Sequence, residues 1–249
     1  MIEDMKEILF SEYDPKWPLQ FNEERKRILD VLAENAFCIH HIGSTAVPGL
    51  AAKPRIDIIA EVVDIKRTLL QLPLAGYEYR GEWNIPGKYG FIKRGVVDVN
   101  LHVFPKYHAE TIGNLMFRDY LRENSEVKES YENIKRQLAL DPNMMIRNQE
   151  ALGLPQYTIE KSDFVERILD QLGFDVPRLL KPTTGKQMAY LAQKGVSASH
   201  AILCLKGVRI CGYVVVADHI EICLDSDSDE KNTFHQLITH SVKNQSEVG

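Results

Sequence analysis

No stretch of the chain is apolar for long enough to span a bilayer, so a helical membrane protein is not expected. Residues Met1 to Phe10 interleave Glu3, Asp4, Lys6 and Glu7 with apolar positions; the basic start and apolar run of a secretory signal are both missing, and none is expected. Cysteine is scarce: Cys38, Cys204, Cys211 and Cys223 are scattered over 249 residues with no CxxC pair. That scatter argues against a disulfide framework and for reduced thiols in a cytoplasmic protein. A global basic field is lacking too. The net charge of −5 leaves no general attraction for a nucleic-acid backbone, so a nucleic-acid partner is not expected. Low-complexity tracts are also absent, and 44% hydrophobic with 26% charged residues describes a chain that buries an ordinary core.

What is present falls into two regions. Apolar residues Phe21, Ile28, Leu29, Val31 and Leu32 recur at helical spacing between Leu19 and Asn35. Phe37 to Ile42 then reads as a short strand that ends at the small-residue corner Gly43-Ser44. From Ile56 to Val63 the residues alternate, which places Asp57, Ile59 and Glu61 on one face. A hairpin at Arg94-Gly95 joins Tyr89 to Lys93 with Val96 to Phe104, a strand carrying Asp98, Asn100 and His102 opposite Val97, Val99, Leu101 and Val103. Helical patterns follow over Ile112 to Leu138 and Ser162 to Leu172. The expectation is an α/β (α+β) domain over residues 1–175, a small mixed β-sheet with flanking helices. Between Leu172 and Gly185 the composition turns to Pro, Thr and Gly, as in a linker, and residues 186–249 read as a small α+β appendage.

Nucleotidyl transfer needs carboxylates on adjacent strands to hold Mg²⁺, and a tight Gly/Ser corner whose backbone N–H groups meet the phosphate tail. Gly43-Ser44, then Asp57, then Asp98 has that order. A turn and two surface carboxylates would give the same pattern. Three look-alike motifs fail on their own spacing. Thr184-Gly185-Lys186 lacks the first glycine of a phosphate loop, which would fall at Leu180. Asp225 to Asp229 lacks the glycine and the terminal glutamate of a calcium loop. Cys204, Cys211, Cys223, His200 and His219 match no zinc knuckle.

Five segments carry a more specific signal: Tyr13-Asp14-Pro15-Lys16-Trp17, the run His41 to Pro54 (HIGSTAVPGLAAKP), Ile56-Asp57-Ile58, Asn100-Leu101-His102-Val103 and Phe117-Arg118-Asp119-Tyr120-Leu121-Arg122. With Tyr131, Lys135, Tyr157, Lys161 and Phe164, they resemble the GrpB family over about the first 172 residues. The resemblance implies a nucleotidyltransferase fold and places the chain among enzymes that move nucleotidyl groups, without naming a substrate. It also exposes a departure: the second acid of the superfamily's Asp-x-Asp or Asp-x-Glu pair falls at Ile59, which cannot ligate a metal.

The expected activity is Mg²⁺-dependent transfer from a nucleoside triphosphate to a small-molecule or protein acceptor. Asp57 and Asp98 are the expected metal ligands. Glu61, further along the same strand face and placed roughly 7 Å from Asp57, is the candidate third ligand, directly or through water, and its other reading is a carboxylate pointing to solvent. Alternatively Asn100 joins Asp98 in completing the sphere. His102 is the candidate general base, and its other reading is a structural hydrogen-bonding residue. Of His40 and His41 only one can face the cleft, and the motif favours His41. Gly43, Ser44, Lys53, Asn100, Arg118 and Lys161 are the expected nucleotide contacts, with Arg122 a further clamp; ordinary helical salt bridges are the other reading of the two arginines. The rival function is a catalytically silent nucleotide-binding module, for which Ile59 is the sign, with the C-terminal region as an interaction element.

Overall fold

In the computed structural model, which describes residues 10–82, 84–148, 154–216, 220–225 and 232–239, the first apolar stripe folds as α1 (Trp17–Leu32). Pro18 sits in its opening turn, where a missing N–H costs nothing. The chain then runs through β1 (Ala36–Ile42), β2 (Arg55–Val62), α2 (Ile65–Gln71), β3 (Glu78–Gly81), β4 (Tyr89–Lys93) and β5 (Asp98–Pro105), followed by α3 (Ala109–Glu123) and α4 (Ser125–Leu140). The five strands form one sheet in the order β1-β2-β5-β4-β3. Only β2 and β5 run parallel, so the sheet is mixed and flanked by helices, as the sequence predicts.

Register fixes which residues share a face. Asp57 lies opposite Asn100, Arg55 opposite Asp98, and Ile59 opposite His102 across the parallel pair. On the other side of β2, Glu61 lies opposite Cys38 and Ile59 opposite His40. The polar positions of β2 and β5 therefore share one face. The opposite face carries Ile56, Ile58, Ala60, Val99, Leu101 and Val103, all fully buried. Glu24 of α1, itself buried, accepts hydrogen bonds there from Tyr77 (2.8 Å) and from Lys93 of β4 (3.0 and 3.1 Å), which ties α1 to the sheet.

The helix expected over Ile112–Leu138 is two helices. Asn124 leaves the helical region at φ −122°, ψ 94° and donates its side chain to the Tyr120 carbonyl at 2.9 Å. Asparagine offers the backbone such local alternatives, and the break lets α4 start afresh at Ser125.

Two compact units result, Met1–Trp83 with Gly87–Ala139, and Asn84–Pro86 with Leu140–Gly249. The second contains β6 (Arg147–Asn148), β7 (Leu154–Pro155), α5 (Gln156–Gln171), β8 (Pro177–Leu180), α6 (Gly185–Gln193), β9 (Ala201–Lys206), β10 (Arg209–Val216) and β11 (Ile220–Leu224). Its sheet has the order β11-β10-β9-β8, and residues 232–239 are helical. The stretch expected as a linker carries β8. Its proline begins an edge strand, where no ladder N–H is required. Thr184, the start of the rejected phosphate-loop look-alike, caps α6 in a reciprocal box with Gln187. Cys204 and Cys211 pack with Leu179, Val214, Phe234 and Ile238. Of the acidic loop only Asp225 is described, held by Tyr190 (2.6 Å) and Lys194 (2.7 Å); His219 and the rest of that loop lie outside the described residues. Among the described residues no helix is long and apolar enough to cross a membrane.

Candidate functional site

β1 ends at Ile42, and the chain turns at Gly43 with φ 70° and ψ −172°, a conformation essentially confined to glycine. The missing side chain also has a spatial reason: a Cβ on Gly43 would stand 2.7 Å from Asp57 Oδ2. Asp57 thus presses its carboxylate onto the glycine, and the corner and the acid form one unit. Ser44 opens a tight turn, Ser44–Ala46, and its Oγ accepts from Lys135 Nζ at 3.2 Å. The same hydroxyl is hydrogen-bonded to the phenol of Tyr131, whose pKa is raised by burial and by the charge of Asp57.

Cations from α3 and α4 hold the segment from His41 to Ala51 by its carbonyl oxygens. Arg118 donates to His41 (2.9 Å), Arg122 to Ala46 (2.7 and 3.0 Å), Lys128 to Pro48 (3.1 Å) and Lys135 to Ala51 (2.6 Å). Thr45 adds a bond to the Arg55 carbonyl at 3.2 Å. The corner is therefore braced from outside before any ligand arrives.

Around Asp57, Asn100 Nδ2 donates to Asp57 Oδ1 at 2.8 Å, which orients the carboxylate. Asp98 stands at the start of β5, and its carboxylate lies 3.6 Å from Arg94 Nε and 3.8 Å from Arg55 Nη2. Arg94 also reaches the Val99 carbonyl (3.3 Å) and Asn100 Oδ1 (3.5 Å). Arg55 Nε is buried without a hydrogen-bond acceptor among the described residues. Such a donor marks a place that an anion would satisfy.

Several expected site residues lie elsewhere. Glu61 is four residues from Asp57, about 13 Å at the usual rise, so the expected 7 Å spacing is corrected and the residue does not join Asp57 and Asp98. Its Oε1 accepts from the His108 backbone N–H at 3.0 Å instead. His102 is not placed as a general base. Its Nδ1 is buried with no hydrogen-bond partner among the described residues, and burial, then the Lys88 ammonium, push its pKa down to about 3. A ring so reluctant to take a proton is a poor base at neutral pH. The choice of His41 over His40 is reversed: His40 shares the face of Ile59, whereas His41 faces α1, stacked on Phe21 at 4.7 Å and 3.1 Å from Thr45 Oγ1.

Arg118 and Arg122 are both bonded to Asp119, in line with the salt-bridge reading, while they brace the corner. With Tyr13, Pro18, Phe21 and His41 they line a cavity of about 300 Å³ that does not include Ser44 or Asp57. Tyr13 packs edge-on against buried Trp17 at 5.3 Å, a structural contact. Lys53 is half-buried on the loop into β2. Lys161 belongs to α5 in the second unit, 5.7 Å from the Tyr157 ring centroid.

The corner's partners were readable but not singled out as site residues. Lys135 is 2% exposed. It follows Tyr131 by four residues on the apolar stripe of α4, and a lysine at an inward position is a signal in itself. The hairpin pattern places Arg94 at a turn and gives no sign of its contact with Asp98.

Comparison with known proteins adds the following. The family model described as GrpB protein matches residues 7–171. UPF0157 protein BH1888 of Halalkalibacterium halodurans is 38% identical over 165 residues, covering 65% of this chain and 80% of that protein. The crystal structure of conserved protein GrpB from Enterococcus faecalis aligns with a TM-score of 0.51 at 32% identity, over 64% of this chain and 99% of that one. A cytoplasmic RNA terminal U-transferase aligns with a TM-score of 0.42 at 13% identity, over 64% of this chain and 48% of that one, a likeness too slight to bear on function. The GrpB and UPF0157 names carry no activity, substrate or acceptor.

Proposed function

The chain belongs to the GrpB family, and from that premise we propose that its first unit is a Mg²⁺-dependent nucleotidyltransferase acting from a nucleoside triphosphate on a small-molecule or protein acceptor. The observation that carries the reading is the corner: the Ser44 hydroxyl within reach of the buried Lys135 ammonium, with the Asp57 carboxylate packed on Gly43 beside it. Polyphosphate calls for hydroxyl and ammonium donors at a tight turn, and Arg55 Nε, with no acceptor among the described residues, supplies one more donor to an anion.

The donor set fits Mg²⁺. Asp57, Asp98 and Asn100 offer hard oxygens on one sheet face, and Mg²⁺ takes one or two carboxylates and completes its sphere with water and phosphate. Bound there, the ion would screen phosphate charge and lower the pKa of the attacking group. Asp57 and Asp98 would hold it, with Asn100 keeping the Asp57 carboxylate in place. The ion pairs of Asp98 are long and half-exposed, and pairs of that kind contribute about 0–1 kcal/mol, so they exchange readily for a stronger partner. Lys135 and Ser44 would meet the triphosphate. Four free cysteines support a cytoplasmic setting.

A second reading has its own observations. Ile59 stands where the superfamily's second acid belongs, and Asp98 faces two guanidinium groups, as in a binding module that has lost transfer chemistry. Incubation with a panel of nucleoside triphosphates and Mg²⁺, scored for pyrophosphate release, separates the two. Release supports the transferase, binding without release supports the silent module, and neither overturns both.

A further inference from the structure

We propose that Cys38, His40 and Glu61 form a binding site for a divalent transition metal of the zinc class, apart from the Asp57 corner. Cys38 and Glu61 are direct partners across the antiparallel β1–β2 ladder, and His40 follows Cys38 by two residues, so all three share one sheet face. The Cys38 Sγ, a His40 ring nitrogen and a Glu61 carboxylate oxygen all lie within 4.8 Å of one another. Ligands of a tetrahedral zinc ion with bonds of about 2.0–2.3 Å stand roughly 3.3–3.8 Å apart, so small side-chain rotations close the set.

The donors suit that metal. A thiolate and an imidazole beside a carboxylate favour zinc over the hard cations that oxygen sets hold. Glu61 is buried, and the His108 N–H holds its Oε1 at 3.0 Å, an orienting contact that leaves the second oxygen for a ligand. Neither the Cys38 thiol nor the His40 ring makes a hydrogen bond among the described residues. Three protein ligands leave one coordination position open, as in zinc sites that keep a water. The site does not depend on the transferase reading, because it shares no residue with the corner.

Titration of the metal-free 249-residue chain with Co²⁺, followed by optical spectroscopy, tests it. Wild type should bind one Co²⁺ with four-coordinate ligand-field bands and a thiolate-to-cobalt charge-transfer band. Cys38→Ser should abolish the charge-transfer band, and Cys223→Ser should leave it intact. Zn²⁺ affinity in His40→Gln and Glu61→Gln should fall by more than the roughly 10- to 100-fold that losing an outer partner costs. Glu61→Gln keeps an acceptor for the His108 N–H, so its fold is preserved. A charge-transfer band that is absent, that survives Cys38→Ser or that disappears in Cys223→Ser overturns the proposal. Unchanged Zn²⁺ affinity in Glu61→Gln does the same.

Discussion

Gly43→Ala places a methyl carbon where Asp57 already stands. The new Cβ would lie 2.7 Å from Asp57 Oδ2, 3.2 Å from its Cβ and 3.3 Å from its Cγ, so the carboxylate must swing away. Two costs add. Holding alanine at φ 70°, ψ −172° costs about 1–3 kcal/mol. Displacing the carboxylate from Asn100, a bond of 2.8 Å, loses a charged hydrogen bond worth about 1.5–3 kcal/mol. A loss of about 2.5–6 kcal/mol should lower the Tm by roughly 5–24 °C in a chain of this size. Gly76→Ala is the control, since Gly76 also has a positive φ, 81°, but a Cβ there meets nothing within 4 Å. It should cost only the strain of the left-handed region, about 1–2 kcal/mol. Both variants are read by thermal unfolding. A Gly43→Ala loss no larger than that of Gly76→Ala would refute the close packing of corner and acid.

Ser44→Ala removes a hydroxyl from the proposed phosphate cradle and should weaken triphosphate binding about 10- to 100-fold in calorimetry, whereas Ser199→Ala in the second unit should not. Asp98→Asn separates the two functional readings: it should reduce Mg²⁺-dependent turnover in a transferase, whereas tighter triphosphate binding, from two released guanidinium groups, would favour the silent module. His102 gives a pH signature. Its folded pKa of about 3 lies below the ordinary 6.5, so the unfolded chain takes up a proton that the folded chain refuses. This stability is fully present above about pH 6.5 and is lost as the pH falls toward 3, at up to about 1.4 kcal/mol per unit. His102→Asn should flatten that part of a urea-midpoint profile, and an unchanged slope would contradict the burial of a neutral ring.

The strands and their faces were legible because a half-buried strand repeats every two residues. Val99, Leu101 and Val103 are buried as their alternation requires, and Asp98, Asn100 and His102 face the other way. Register was not legible, since alternation within β2 says nothing about which residue of β1 or β5 lies opposite. That missing step hid the pairing of Glu61 with Cys38 and of Asp98 with Arg55, whereas the distance from Asp57 to Glu61 is four steps along one strand. Strand β8 was hidden by a proline that edge strands tolerate, and the helix break at Asn124 by apolar spacing that continues across it. Lys135 is named by the resemblance, but its contact with Ser44 depends on how α4 packs, which the spacing of apolar residues does not give.

In the proposed function, the Gly43-Ser44 corner and Asp57 hold a nucleoside triphosphate together with Mg²⁺. Calorimetric titration of a nucleoside triphosphate into wild type and Asp57→Asn, each with and without Mg²⁺, tests it most directly. Asp57→Asn keeps an oxygen for the Asn100 bond, so the fold should survive while the ligand charge is lost. Mg²⁺ should tighten binding to wild type and have little effect on Asp57→Asn. Equal affinities for the two proteins, unaffected by Mg²⁺, would contradict it.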